Sequence, residues 1–277
     1  MSTTKIPLAG VIGHPVSHSK SPALFQHWFR EYGIRGHYIP MDVVDGDLET
    51  VLRTMPKMGF VGTNVTIPNK EHVLKIADKV TDRATLIGAA NTVTFGEDGR
   101  ILADNTDGYG FIENLKQGAP DWYPGAGPAA VLGAGGAARA IVSSLLDAGV
   151  PQIMISNRTR IRAENLKADF GAKITVVDWV KSGNMLEDAA TVVNTTSLGM
   201  VGKAEFRVPL DGLSPKAVVT DIVYTPLQTK LLEKAAEIGC RTVDGLGMLL
   251  HQAVPGFERW FGVRPEVNEK TRATILR

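Results

Sequence analysis

The sequence predicts an α/β chain of two domains, an N-terminal α/β layer of mixed sheet character followed by a doubly wound parallel sheet. Three observations carry this expectation. Strand and helix patterns alternate along nearly the whole length. A connector rich in Gly and Pro, "QGAPDWYPGAGP", interrupts them at 117–128. A glycine-rich turn, "VLGAGGAARA", then stands directly between a strand pattern and a helix pattern. The length of 277 residues is enough for two separate cores.

The elements follow in order. "IPLAGVIG" (6–13) is a buried-type strand, and "SPALFQHWFREYG" (21–33) is a helix with Ser21 as N-cap, Pro22 at the first position and Gly33 as stop. Leu24, Phe25, Trp28, Phe29 and Tyr32 share its apolar face. A strand at 36–43, a short helix in 46–55 and a strand at 60–67 come next, after which Pro68 opens a helix reaching about Ala77. "NTVTFGEDGRILA" (91–103) is a hairpin turning at Asp98-Gly99, and a helix follows at 108–117. Beyond the connector the reading gives strand 129–132, helix 136–148, strand 151–156, helix 160–170, and strands 173–177, 190–194 and 217–223. Helix 227–238, strand 240–243 and a helical stretch 246–261 broken or kinked at Pro255 complete it.

Composition narrows the function classes. Thirty Lys+Arg balance 29 Asp+Glu, so no global field points to nucleic acid or to an anionic membrane, and anion recognition must be local. A lone cysteine, Cys240, supports neither an internal disulfide nor a Cys-based metal cluster, which favours a reducing, cytoplasmic setting. The opening "MSTTKIPLAGVIGHP" does not read as a signal peptide, and no apolar run approaches the ~18 residues that span a bilayer.

The cofactor signal is the "GAGGAA" turn. Gly133 allows the tight turn, Gly135 allows a pyrophosphate to approach the backbone, and Ala138 stands where close helix–strand packing often selects a third glycine. The helix it opens offers free N–H groups to phosphate. Twenty-four residues after Gly133, where an NAD site would place an acid for the ribose hydroxyls, the chain has "NRTR". An arginine can pair bidentately with a 2′-phosphate and stack on adenine, so Arg158 argues for NADP over NAD. Thr159 could add a hydroxyl, and Arg160 or Arg162 a second charge.

The substrate signals lie at strand ends in the first half. "GHPVSHSKSP" (13–22) carries Ser19 and Ser21; Ser21 is either the helix N-cap or a ligand group, whereas Ser19 has no capping duty. His14 and His18 have the spacing of a metal pair, but Pro15 lies between them and no further ligand accompanies them. In "NVTIPNK" (64–70), Asn64 and Thr66 share a strand face, and Lys70 falls in a first helical turn. There the dipole lowers a lysine pKa and favours proton transfer. Asp107 in "DNTDGYGF" and Asn91 in "GAANT" add polar groups, each with a local turn or capping alternative.

In order, "GHPVSHSKSP", "NVTIPNK", "GAANT", "DNTDG", "GAGGAA", "NRT", "NTTSLGM", "DIVYTPLQT" and "DGLGMLLHQA" resemble the motifs of shikimate dehydrogenases, from residue 11 to about 260. The resemblance implies NADPH-dependent, reversible reduction of 3-dehydroshikimate to shikimate in aromatic amino-acid biosynthesis. It implies a substrate domain at 1–107 completed by C-terminal helices in 245–277, a Rossmann-like NADP(H) domain at 108–244, and a cleft between them. By motif, Lys70 and Asp107 are the catalytic pair. Ser19, Ser21, Asn64, Thr66, Asn91, Tyr224 and Gln252 belong to the substrate site. Gly133, Gly135, Gly136 and Ala137 form the phosphate turn; Asn157, Arg158 and Thr159 hold the 2′-phosphate; Thr195, Ser197, Gly245 and Met248 lie on the nicotinamide side. No metal, nucleic acid or membrane enters this reading, and the chain is expected to act as a monomer or homodimer. Rival readings are a quinate or aminoshikimate dehydrogenase, a non-catalytic NADPH or metabolite sensor, and a one-carbon folate dehydrogenase. Ser19-Lys20-Ser21 and Arg158 weigh against the first, Lys70 with Asp107 against the sensor, and the serine motif against the last, which fits the cofactor half.

Overall fold

The computed structural model describes residues 6–276; the first five residues, part of the stretch read for a leader, and Arg277 lie outside the described residues. Contacts divide the chain into two units, Met1–Thr106 with Gln252–Arg277, and Asp107–His251.

The first unit contains β1 (Leu8–Gly13), α1 (Ser21–Glu31), β2 (His37–Asp42), α2 (Leu48–Thr54), β3 (Gly62–Val65), α3 (Val73–Ile76), β4 (Lys79–Val80), α4 (Asp82–Ile87), β5 (Thr92–Phe95) and β6 (Ile101–Asp104). The sheet order is β2-β1-β3-β5-β6-β4. It is mixed, because β5 pairs antiparallel with both β3 and β6 across the Asp98-Gly99 turn while the other pairs are parallel. Leu48, Leu52, Met55, Val73, Ile76 and Ala84 pack one apolar cluster with sheet residues Ile12, Val65, Val93 and Ile101. A second cluster is aromatic: Phe25 stacks on Tyr38 at 3.7 Å, and Trp28 and Phe29 meet Phe257 at 5.2 and 5.5 Å.

The second unit contains α5 (Asp107–Gly118), β7 (Ala129–Leu132), α6 (Gly136–Ala148), β8 (Ile153–Ser156), α7 (Arg160–Phe170), β9 (Ile174–Val177), β10 (Thr191–Asn194), β11 (Val218–Asp221), α8 (Lys230–Ile238), β12 (Arg241–Val243) and α9 (Leu246–His251). All five strand pairs are parallel in the order β12-β11-β10-β7-β8-β9, the doubly wound arrangement, with the order reversing between β7 and β10. Phe111, Leu115, Ile141, Leu145, Ala163 and Leu166 build one apolar cluster, and Leu186, Phe206, Leu231, Leu232 and Cys240 build the other. The chain then returns to the first unit through α10 (Val254–Phe261) and α11 (Glu269–Leu276).

Three expectations change. Pro68 opens a turn rather than a helix: residues 67–72 are turns and α3 keeps only four residues. The break expected at Pro255 falls just before it: the stretch 246–261 divides at 252–253 into two helices, and Pro255 lies in the first turn of the second, where its missing N–H costs nothing. The unit boundary falls after His251 rather than before residue 245, because α9 packs on α5. A Cβ at Gly247 would lie 1.8 Å from Asn114 Oδ1, and the Asn114 amide donates to the Asp244 carbonyl at 2.7 Å. One helix was not expected, and a second was expected only within the C-terminal helices of 245–277. The first, α4, is capped by Thr81, whose hydroxyl accepts from the Ala84 N–H at 3.3 Å, and stopped by Gly88 at φ +74°. The second is α11.

Candidate active site

Register brings the glycine turn and the arginine loop together. Leu132 lies level with Ser156 on one side and Asn194 on the other. Residues one step beyond, Gly133, Asn157 and Thr195, therefore meet at the carboxyl edge where strand order reverses. The Gly133 N–H donates to Ser156 O at 2.8 Å, the Thr195 hydroxyl donates to Leu132 O at 2.8 Å, and Asn157 Oδ1 accepts from the Ala134 N–H at 3.2 Å. Gly133 has φ +109°, and a Cβ there would sit 2.5 Å from Thr195 Oγ1. Glycine is required on both counts. Gly135 and Gly136 have open space around them. Gly136 and Ala137 begin α6, a 13-residue helix with no acid in its first turn, and Ala138 is fully buried against the sheet.

A cavity of about 170 Å³ is lined by Gly133, Ala134, Gly135, Asn157, Arg158, Arg162, Trp179 and Thr195–Leu198. Arg158 and Arg162 are exposed and have no ion-pair partner among the described residues. Arg160 is different. It bonds Glu164 at 2.8 Å and Asp178 on the β9 side, and these carboxylates raise its pKa. Its charge is therefore already compensated, and of the two candidates for a second charge it is Arg162 that reaches the cavity. The Asn157 amide also donates to Thr159 O at 2.8 Å, tying the loop to itself, while Thr159 sits at the N-cap of α7 without a side-chain cap bond. An unpaired arginine pair beside an open glycine turn at a helix start suits the diphosphate and 2′-phosphate of NADP(H).

Other residues of the second unit occupy the carboxyl ends of β10 to β12. Ser197 is exposed at the same cavity, and Met248 is half-buried against the cluster around Phe111. Gly245 is needed for close approach, since a Cβ would lie 2.4 Å from Ile222 O. Tyr224 is half-buried, and burial raises its hydroxyl pKa. Asp107 is the first residue of α5 rather than the residue before it.

In the first unit the polar residues form one network. Asn64, level with Val11 and Thr92, accepts a 2.7 Å hydrogen bond from the buried Tyr38 hydroxyl and donates to Asn91 O at 3.0 Å. Burial raises the Tyr38 pKa, with a hydrogen bond to Ser21 opposing it. Asn91 Oδ1 accepts from the Thr106 N–H at 2.8 Å and from Thr92 Oγ1 at 2.9 Å, and its amide donates to Gln252 Oε1 at 3.2 Å. The Thr106 hydroxyl donates to Gln252 O at 2.9 Å. Asn64, Asn91 and Gln252 thus belong to one network, in which Asn64 holds Asn91, and Asn91 in turn bonds Gln252. Thr66, half-exposed, packs its methyl where a Cβ at Gly13 would come within 2.4 Å. Lys70 is half-buried, and its carbonyl accepts from the Ala90 N–H at 2.8 Å, which anchors the lysine beside Asn91.

Two residue assignments are corrected here. Lys70 lies three residues ahead of α3 in a run of turns rather than in the first turn of a helix, so the dipole argument made for it does not apply. Ser21 is the first residue of α1 and Lys20 is the N-cap, with no side-chain cap bond, so Ser21 does not cap the helix; its N–H donates to Ser19 Oγ at 3.3 Å. His14 pairs with Asp42 at 2.5 Å, and among the described residues no three His, Cys, Asp or Glu side chains are placed to hold a metal. Sequence reasoning also missed Tyr38, Asp104 and Asp221. Asp104 is fully buried at the end of β6, and burial would raise its pKa. Bonds from Arg83, Arg259 and Thr81 outweigh burial and hold it at about 2. Asp221, also fully buried, accepts from Asn194, Val223 and Thr229, yet burial pushes it up to about 6.

Comparison with known proteins identifies the family. Residues 11–93 match the family model of the shikimate dehydrogenase substrate binding domain, 126–205 that of shikimate / quinate 5-dehydrogenase, and 245–269 that of the shikimate 5′-dehydrogenase C-terminal domain. A shikimate dehydrogenase (NADP(+)) of Cereibacter sphaeroides is 69% identical over 98% of both chains, and one of Roseobacter denitrificans 65% identical over 100% of both. Among solved structures, shikimate 5-dehydrogenase from Thermus thermophilus in complex with NADP(H) and shikimate is 34% identical over 98% of each chain, with a TM-score of 0.85. Quinate dehydrogenase from Corynebacterium glutamicum in complex with NAD is 31% identical over 98% of this chain and 99% of that one, with a TM-score of 0.91. On its strand order, its glycine and arginine loops, and likeness over its full length, the chain belongs to the shikimate dehydrogenase family.

Proposed function

We propose that the chain catalyses the reversible NADP(H)-dependent reduction of 3-dehydroshikimate to shikimate, a step of cytoplasmic aromatic amino-acid biosynthesis, as a monomer or homodimer. The observation that carries the cofactor choice is the pair of uncompensated arginines, Arg158 and Arg162, in the cavity beside the glycine turn. An acid at either position would repel a 2′-phosphate. In this reading Gly133, Gly135, Gly136 and Ala137 present backbone N–H groups to the diphosphate, and Asn157 keeps the glycine turn and the arginine loop in one geometry through its bonds to Ala134 and Thr159. Thr159 adds a hydroxyl to the 2′-phosphate site; Thr195, Ser197, Gly245 and Met248 serve the nicotinamide end. The reduced nicotinamide, when bound, supplies the hydride for the substrate's carbonyl carbon.

Ser19, Ser21, Thr66, Asn91, Tyr224 and Gln252 contact the ring hydroxyls and carboxylate of the substrate, with Asn64 and Tyr38 orienting Asn91 and Ser21 from behind. Lys70 stabilises charge on the carbonyl oxygen and delivers the proton that makes it a hydroxyl, with Asp107 as its acid–base partner. The anchoring of Lys70 through Ala90 supports this role, since a proton donor must keep its place relative to a hydroxyl site. Initial rates for shikimate and quinate, each with NADP and NAD, test the assignment: activity concentrated in the shikimate–NADP pair supports it, and a preference for quinate or for NAD overturns it. Replacing Lys70 with Met is expected to lower turnover by about 10²- to 10⁴-fold with KM nearly unchanged. A raised KM at unchanged turnover would make Lys70 a binding group instead.

A further inference from the structure

The NADP(H) reading leaves one aromatic side chain in the arginine cavity unexplained. Trp179 begins a short helical turn just after β9, half-buried, with one side packed on the cluster around Leu186 and Phe206. It also lines the cavity that holds Arg158, Arg162 and Gly133. Its indole N–H has no hydrogen-bond partner among the described residues. Core packing accounts for one side of the ring but not for its place in the wall of a polar cavity beside two uncompensated guanidinium groups. It offers a flat π surface and a free donor at a site already built for phosphate.

At about 170 Å³ the cavity is smaller than the ~300–1,000 Å³ that encloses a whole drug-sized ligand, so it suits one end of a dinucleotide. With the 2′-phosphate on the arginines, the group attached to the same ribose is the adenine. We infer that Trp179 is the stacking platform for the adenine base, and that Arg160, through its ion pair with Asp178, positions Trp179 instead of binding phosphate. The local structure supports the second half. Asp178 is the residue before Trp179 and caps its turn, with its carbonyl accepting from the Lys181 N–H at 2.8 Å, while Arg160 holds the Asp178 carboxylate from the start of α7. The arginine loop and the aromatic wall are thereby coupled. This inference rests on the NADP(H) reading of the cavity.

The test titrates adenosine 2′,5′-bisphosphate and adenosine 5′-diphosphate, neither of which carries nicotinamide, into the full chain, by calorimetry and by intrinsic tryptophan fluorescence. The wild-type chain is expected to bind the bisphosphate more tightly, with quenching. Trp179→Leu, which keeps apolar packing on the core but has no π face, should abolish the quench and weaken both ligands by about 5- to 100-fold. Trp179→Phe should keep affinity within about threefold, since it retains a ring. Arg160→Met and Asp178→Asn should weaken both ligands by the same factor, whereas Arg158→Ala should weaken the bisphosphate selectively. Wild-type affinity in Trp179→Leu overturns the stacking assignment, and selective loss of the bisphosphate in Arg160→Met overturns the positioning role. No preference for the bisphosphate in the wild-type chain would instead refute the NADP(H) reading itself.

Discussion

Asp221 is expected to make the second unit less stable as pH rises through the mildly acidic range, and Asp221→Asn should remove that dependence. The carboxylate is fully buried at the end of β11, and no ion pair reaches it among the described residues. Burial raises its pKa from 3.8 to about 6 even though it accepts three hydrogen bonds. The native state therefore holds a proton that the unfolded chain has already lost between these two values, so the contribution of Asp221 to stability is most favourable below 3.8 and falls as pH rises to about 6. The gap of about 2.2 units, 6 minus 3.8, corresponds at ~1.36 kcal/mol per unit to about 3 kcal/mol. Asparagine has no such titration. Its Oδ1 can keep the bonds from the Asn194 amide and the Val223 N–H, and its amide can donate to the Thr229 hydroxyl, which already accepts from the Leu232 N–H at 3.4 Å. Urea unfolding of both proteins between about pH 4 and about pH 7 measures the difference. Asp221→Asn should gain up to about 3 kcal/mol on the wild type toward neutral pH, with little difference at the acid end. Parallel profiles, or a variant less stable at neutral pH, would refute the claim that desolvation outweighs the three bonds.

The opposite sign is expected in the first unit. Asp104, held at about 2 against 3.8, contributes about 2.4 kcal/mol, 1.8 units at ~1.36 each, above 3.8, and this is lost as pH falls through about 2; Asp104→Asn should be destabilised by that order at neutral pH in thermal or urea unfolding, with the deficit shrinking in acid. Arg158→Asp should cut the NADP-over-NAD ratio of kcat/KM by at least about tenfold, because it replaces a bidentate phosphate donor by a like charge; an unchanged ratio would remove Arg158 from the 2′-phosphate site. Gly133→Ala meets Thr195 Oγ1 at 2.5 Å in a backbone with φ +109°, so it should lower stability by about 1–3 kcal/mol and weaken NADP binding measured by calorimetry; a variant matching wild type in both would show that the turn adapts.

The fold was legible wherever one local signal decided one element. The glycine turn, the strand runs and the Asp98-Gly99 hairpin each announce themselves within a few residues, and the doubly wound order follows from chain rhythm. Even the missed α4 had a readable start and stop in Thr81, Asp82 and Gly88. The error at Pro68 has a different origin. A proline can open a helix or close a turn, and here the outcome depends on Asn69, whose amide donates to Val43 O at 2.9 Å, 26 residues away in sequence. Tertiary hydrogen bonding decided against the helix, and the inference about the acidity of Lys70 failed with it.

The site divides along the same line. Residue type announces which groups can bind phosphate or carry a proton, so Arg158, Lys70 and Asp107 stand out in a single chain. It does not announce which charges are already compensated. Arg160 and Arg162 are equivalent on paper, two residues apart in a basic run, yet one is spent on Glu164 and Asp178 while the other faces the cavity. Asp104 and Asp221 make the case more sharply. Both end buried strands and both are hidden completely, but two arginines, one of them 155 residues away, hold the first at about 2, while neutral donors leave the second at about 6. The sign of an ionisation shift belongs to the partners that folding delivers, so the distinction between a stabilising and a costly buried carboxylate becomes visible only when the distant arginines have been placed.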